Sequence, residues 1–254
     1  MRSVDLNADM AEGFGVYTCG DDEAMLDVVT SANVACGFHA GDPQIMARTF
    51  ARAREKGVAV GAHPGYPDLW GFGRRRIPFT PGEIERLIAY QIGAAQALAV
   101  YAGARVTYVK CHGALANLCE VERDAAEAVG RAIKAVDRAL VWLTIAVGEQ
   151  TRAAATRGLN GVAEIYAARG YTRAGRLVPR GQPGAMVLDP RAAAARVAAM
   201  VAEGAIIAND GARIATPIGS VCVHGDSAGA VERARMVRAA LEQAGVRLAA
   251  FAPM

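Results

Sequence analysis

Lysine and histidine are scarce in this chain of 254 residues: there are four histidines, and lysine stands only at Lys56, Lys110 and Lys134. Arginine carries nearly all the positive charge, and the formal net charge is only +3, so nothing reads as a nucleic-acid stripe. The one dense basic run, Arg74, Arg75 and Arg76, is too short to make one. Five cysteines, an odd number without framework spacing, argue against a disulfide scaffold, and neither a CxxC pair nor an HExxH stretch is present. GxxxxGK[ST] is missing, and no GxGxxG follows a strand, so a nucleotide would bind unconventionally or on another chain. Long apolar runs are also missing: residues 139–147, broken by Thr144, are too few to span a bilayer. No basic and apolar leader precedes the strand-like SVDLN, which leads us to expect a cytoplasmic protein with no membrane partner. No repeat or Pro/Ser-rich linker divides the chain, and with 53% apolar residues a single domain over residues 1–254 is expected.

What is there is an alternation of short apolar runs and helical spacing. Strands are predicted at 4–7, 32–36, 58–62, 106–110, 140–146, 163–167, 206–208 and 221–224, several of them apolar on both faces as buried parallel strands are. Helices are predicted at 21–29, 43–56, 81–102, 122–136, 150–157, 190–202 and 228–243. Thr80-Pro81-Gly82-Glu83 has the makings of a capping box, and Asp42-Pro43 and Asp189-Pro190 place a capping carboxylate before a proline. About seven β-then-α units fit an irregular, TIM-like α/β barrel better than the competing doubly wound open sheet. Asp210-Gly211 between apolar runs reads as a hairpin, a small antiparallel addition near the C-terminus.

In either parallel architecture the loops after the strands share one face, where ligands bind. All four histidines, His39, His63, His112 and His224, follow apolar runs and sit beside glycine or proline, so each falls at a strand end. Asn7 and Asp9 follow the first strand, Lys110 the fourth, Glu164 and Arg169 the sixth, and Asp226 the last. A histidine beside a loop glycine is by itself more often structural, but four on one rim point to proton transfer near neutral pH, with Asp9, Glu12 and Asp226 as orienting carboxylates. A metal held by His and Asp on adjacent strand ends fits the rim as well as an acid–base site without metal.

GFGRRR at residues 71–76 suits an anion contact, its bland alternative being a solvated loop. Residues 171–184 form a second long loop, with Arg180 as a candidate clamp. Lys110 is placed either to meet a substrate carboxylate or to neutralise Asp9. Cys111 beside His112 reads as buried and inert rather than nucleophilic, because neighbours on an extended chain point to opposite faces.

The blocks DLNADMAEGFG, SANVACGFHAGDP, GAHPGYPDLWGFGRR, VKCHGALAN, GLNGVAEIYAARGY with GRLVPRGQPGA, and SVCVHGD resemble, in order and across nearly the whole chain, the LamB/YcsF (lactam utilisation) family, which includes the A component of bacterial 5-oxoprolinase. The resemblance implies a seven-unit barrel of the glycoside hydrolase/deacetylase type. It also implies ATP-dependent hydrolysis of the lactam 5-oxo-L-proline to L-glutamate, with Mg2+ accompanying ATP and with subunits B and C as partners. The matching positions include Asp5, Asn7, Asp9, Glu12, His39, Asp42, His63, Asp68, Arg74, Lys110, His112, Asn117, Glu164, Arg169, Arg180, His224 and Asp226. Departures from the family pattern are Ala11 for glycine, Cys111 for proline, Ala116 for tyrosine and Ala168 for aspartate.

On that basis His63 and His112 are expected as acid–base groups and Asp9 as orienter or base. Lys110 and Arg74 are expected to contact carboxylate or phosphate, and His39 with His224 to support them. Asn7, Glu164, Arg180 and Asp226 complete the expected substrate-binding set. The competing classes are a stand-alone metal-dependent amidohydrolase or carbohydrate deacetylase, and a non-catalytic scaffold that presents substrate to its partners.

Overall fold

The computed structural model describes residues 2–226 and 229–252. Its chain order is β1 (Ser3–Met10), α1 (Asp22–Leu26), β2 (Ser31–Ala35), α2 (Pro43–Glu55), β3 (Ala59–His63), α3 (Pro81–Tyr101), β4 (Val106–Val109), α4 (Gly113–Val121) and α5 (Arg123–Val136). There follow β5 (Val141–Ile145), α6 (Glu149–Arg157), β6 (Gly161–Tyr166), α7 (Pro190–Glu203), β7 (Ala205–Ile207), β8 (Arg213–Ala215), β9 (Ser220–Val223), α8 (Ala230–Gln243) and β10 (Arg247–Leu248).

Strands β1 to β6 pair in sequence order, all parallel, and β9 closes the ring by pairing with both β6 and β1. This is the expected closed parallel barrel, of seven strands. β10 adds to the edge of β1 beyond the ring. The predicted strand at 206–208 lies outside the barrel, since β7 and β8 form an antiparallel pair around Asp210-Gly211. Among the described residues no helix is long and apolar enough to cross a membrane.

The helix ends follow their local chemistry. Thr80 Oγ1 accepts from Glu83 N while Glu83 Oε2 accepts from Thr80 N at 2.7 Å, closing the capping box ahead of α3. Asp42 accepts from the amides of Gln44 and Ile45, and Asp189 from that of Arg191. Each such cap contributes about 1 kcal/mol. The predicted helix at 122–136 is preceded by a further one, α4, which the spacing does not predict: its N-cap, His112, makes no side-chain capping bond. The predicted start of the last helix, Ala228, lies outside the described residues.

Leu6, Val34, Ile88, Val129, Ile133 and Val197, all essentially inaccessible, belong to the apolar shell between barrel and helices. The inside of the barrel is different. Along SVDLNADM the alternate residues Asp5, Asn7 and Asp9 meet polar partners from around the ring: Ser31 and Asn33 on β2, Ser220 on β9, Glu164 on β6 and Lys110 just past β4. Buried polar groups at this depth are tolerable only when paired, and these are.

Candidate active site and its relatives

The polar interior rises in layers to the C-terminal ends of the strands. Lowest, Asp5 accepts hydroxyl hydrogen bonds from Thr30, Ser31 and Ser220. Above it, Asn7 donates to Ser220 Oγ at 2.7 Å and to Glu164 Oε2 at 3.2 Å, and Tyr166 donates to Glu164 Oε1 at 2.8 Å. At the centre, Lys110 Nζ lies 2.9 Å from Asp9 Oδ1, 3.1 Å from Asn7 Oδ1, 3.3 Å from Glu164 Oε2 and 3.0 Å from Cys222 Sγ. Burial opposes charge on Asp9, yet Lys110 and His63 outweigh it and hold its carboxyl well below the usual range. Burial likewise opposes charge on Lys110, but Asp9, Cys222 and Glu164 hold its ammonium well above the usual lysine range. For Glu164 burial wins and the pKa is raised, with Lys110 only partly offsetting it.

The histidines sit on top of this core. His63 ends β3, His112 caps α4, His39 lies in the loop after β2 and His224 follows β9. His63 Nε2 faces His112 Nδ1 at 3.0 Å and Asp9 Oδ1 at 3.4 Å. His39 stacks flat on His112, ring centroids 3.7 Å apart, with its Nε2 3.3 Å from Glu12 Oε1. Burial, then the neighbouring histidines, push His39 and His112 well below the ordinary imidazole range, so both favour the neutral ring. Burial, then Asp9 and Asp226, push Glu12 well above the carboxylate range. The turn that brings Glu12 back over the barrel passes through Ala11 at φ 57°, a left-handed conformation at the position where the family pattern has glycine.

A cavity of about 300 Å3 opens above these groups, lined among others by Asp9, His63, Lys110, His112, Arg74, Arg169, Arg180 and His224. The structure thus brings the catalytic candidates Asp9, His63 and His112 together with Lys110, Arg74, Arg180 and His224 around one space. Asn7 and Glu164 lie beneath it, inside the barrel, where they hold Lys110. Asp226 stands beside it, paired with Arg74 at 2.5 Å, and His39 sits behind His112. In the GFGRRR segment Arg75 pairs with Asp68 and Arg76 with Glu122, so only Arg74 reaches the cavity. Arg169 donates to the carbonyls of Val178 and Ala185, pinning the long loop after β6 over the barrel. Burial pushes the Cys111 thiol up to about 12, in keeping with an inert residue. Sequence reasoning missed Tyr166 and Cys222; the alternation Glu164, Tyr166 along β6 carried a readable signal for the first.

The fold itself recurs at low sequence identity. A peptidoglycan N-acetylglucosamine deacetylase catalytic domain from Eubacterium rectale shares it at TM-score 0.52 and 12% identity, over 100% of this chain and 91% of that one. The nearer likeness is of sequence as well as shape: the chain belongs to the LamB/YcsF family, which it matches over residues 4–254. It is 62% identical over 253 residues to the A component of 5-oxoprolinase from Azorhizobium caulinodans, covering 100% of both chains. It is 57% identical over 250 residues to that of Gluconobacter oxydans, covering 98% of each. The crystal structure of a lactam utilization protein from Thermus thermophilus matches it at TM-score 0.92 and 42% identity, over 98% of this chain and 100% of that one.

Proposed function

We propose that this chain is the lactam-handling component of an ATP-dependent 5-oxoprolinase, opening 5-oxo-L-proline to L-glutamate together with two partner subunits, B and C. The observation that carries the reading is full-length kinship to proteins named as the A component of 5-oxoprolinase, joined to a cavity of about 300 Å3 with an acid–base floor and a cationic wall.

An unstrained five-membered lactam resists hydrolysis, and ATP, accompanied by Mg2+, supplies the driving force by phosphorylating the amide oxygen. Water then adds at the activated carbon, the ring C–N bond breaks as nitrogen takes a proton, and a second water releases phosphate. In this scheme Arg74 and Arg180 meet the carboxylate or phosphoryl oxygens, as planar guanidiniums do well. Arg180 suits the task, having no ion-pair partner among the described residues. Lys110 contributes fixed positive charge below the reacting carbonyl. His63 and His112 carry the proton between their facing nitrogens and deliver it to the leaving nitrogen, and Asp9 orients His63. His39 and His224 support the cavity, Asp226 positions Arg74, and Asn7 and Glu164 position Lys110.

Partner subunits fit the rim. Beside Glu12 and His39 it exposes Trp70 at 98% and Tyr17 at 77%, apolar surface of the kind that partners cover. The test is 5-oxoproline-dependent release of ADP and glutamate by the chain alone and then with both partners added. Activity in the complex that falls at least a hundredfold in His63→Ala and His112→Ala is expected. Full activity of the double variant would refute the assignment.

A further inference from the structure

We propose that this chain binds one divalent transition-metal ion between His63, His112 and Glu12. The ring nitrogens of His63 and His112 point there. His63 Nδ1 lies 2.8 Å from the carbonyl oxygen of Lys110, and His112 Nε2 lies 2.8 Å from that of Phe72. A carbonyl only accepts, so each of these nitrogens carries the ring hydrogen. When each ring carries only that hydrogen, the other two nitrogens, His63 Nε2 and His112 Nδ1, are both lone pairs, and they face each other at 3.0 Å. Two buried acceptors aimed at one point repel and stay unsatisfied unless something positive stands between them. That something is a proton or a metal ion.

A third donor favours the ion. Glu12 Oε1 lies 3.4 Å from His112 Nδ1, and all the donor atoms of the Glu12, His39, His63 and His112 group lie within 4.8 Å of one another. Bonds of about 2.1 Å in a tetrahedron give ligand-to-ligand edges of about 3.4 Å; the His112–Glu12 spacing has that length, and the two ring nitrogens, at 3.0 Å, need to part by only a few tenths of an ångström. A single proton uses two donors and leaves the carboxylate idle. His39 Nε2, 3.3 Å from Glu12 Oε1, is placed to donate to that carboxylate and fix it as a ligand. The backbone carbonyls that orient His63 and His112 are the outer partners that metal-bound histidines have. Two imidazoles and one carboxylate suit zinc, iron, cobalt or nickel rather than calcium or magnesium. Asp9 Oδ1 lies 3.4 Å from His63 Nε2, and His63 and His112 line the cavity, so Asp9 or a molecule in the cavity would complete the ligand set.

With the ion bound, His63 and His112 are ligands rather than the proton carriers of the lactam reading, so the ion-loaded state and the proton-sharing state are alternatives at this one pair of nitrogens. The inference does not rest on the lactam reading, because the donors converge whatever the substrate.

The test uses the full chain without substrate or partners. It is stripped with a chelator, reloaded separately with Zn2+ and Co2+, dialysed, and its metal content measured by elemental mass spectrometry. The expected result is about one ion per chain, with the intense visible absorption of four-coordinate Co2+, and affinity at least tenfold lower in His63→Ala and Glu12→Gln. A content near zero after reloading, or one unchanged in the double variant H63A/H112A, overturns the proposal. A second readout needs no variant: imidazole 15N spectra of the native chain. Zn2+ is expected to shift His63 Nε2 and His112 Nδ1 and to leave their partner nitrogens protonated. A downfield N–H···N proton that persists between the rings at saturating Zn2+ overturns it equally. Either failure leaves the reconstituted lactam assay to be judged separately.

Discussion

Lys110 Nζ stands 2.9 Å from Asp9 Oδ1 at the centre of the barrel, and both side chains are more than nine-tenths buried. Such a pair adds little over a well-packed apolar one, but breaking it strands a charge. Lys110→Met leaves Asp9 and Glu164 facing each other without a cation and is expected to lose about 3–5 kcal/mol of stability. The double variant D9N/K110M should recover part of that loss. Urea unfolding of the four proteins checks it: strictly additive single losses would mean that the pair is not coupled. Because the pair is shielded from solvent, the coupling should change little between low and high salt.

The stacked histidines depend on two glycines. A Cβ on Gly65 would lie 2.7 Å from His39 Nδ1, and one on Gly73, at φ 62°, would lie 2.7 Å from His39 Cβ and 2.8 Å from His112 Cδ2. Gly65→Ala should displace chiefly the His39 ring, with His112 Cβ, 3.3 Å away, giving by only a few tenths of an ångström. Gly73→Ala should disturb both rings and add backbone strain of about 1–2 kcal/mol. Gly57→Ala, also at positive φ but with nothing within 4 Å, should show the strain alone. Melting temperatures together with kcat of the reconstituted complex separate these outcomes. We expect activity losses at positions 65 and 73 and none at 57; an activity loss at 57 equal to that at 73 would mean that backbone strain, not ring displacement, is responsible.

Asp5 gives the molecule a pH signature. Burial raises its pKa from 3.8 to about 6, outweighing the hydrogen bonds from Ser220, Ser31 and Thr30 that favour the charged form. The folded state therefore holds this proton more tightly than the unfolded state. Its contribution to stability is fully present below about pH 4 and is lost as pH rises through about 6, a change of about 3 kcal/mol. Asp5→Asn removes the titration. The stability difference between native and D5N proteins, measured by denaturant unfolding from pH 4 to pH 7, should therefore shift in favour of the variant as pH rises. A difference that is flat across that window would place the folded pKa near its ordinary value.

Strand ends were legible in the sequence because His39, His63, His112 and His224 each end an apolar run at a glycine or proline, and the barrel sets all such ends on one face. Depth was not. Asn7 and Glu164 sit beneath the cavity because they share the inward face with Asp5 and Tyr166, a matter of side-chain parity that position along the strand alone does not give. Arg169 was visible only as an arginine after a strand, since its partners, the carbonyls of Val178 and Ala185, belong to a loop without side-chain signals. The short helix α4 escaped because His112 begins it without a capping bond. The tautomers that set His63 and His112 face to face depend on the carbonyls of Lys110 and Phe72, contacts made only in the folded chain.

Ala116, where the family pattern has tyrosine, lines the cavity from α4 and bears on what the site accepts. A phenol there would project into a space of only about 300 Å3, so the native alanine leaves room beyond a five-membered ring. The native complex should therefore turn over a six-membered lactam bearing the same carboxylate, and Ala116→Tyr should exclude it. One methylene in a closely fitting pocket is worth about 10–200-fold in discrimination. The ratio of kcat/KM for 5-oxoproline to that for the larger lactam is expected to rise at least tenfold in A116Y, measured as lactam-dependent ADP release. A ratio unchanged by the substitution would mean that the ring binds away from α4, towards Arg180 and His224, and that the alanine has no bearing on substrate size.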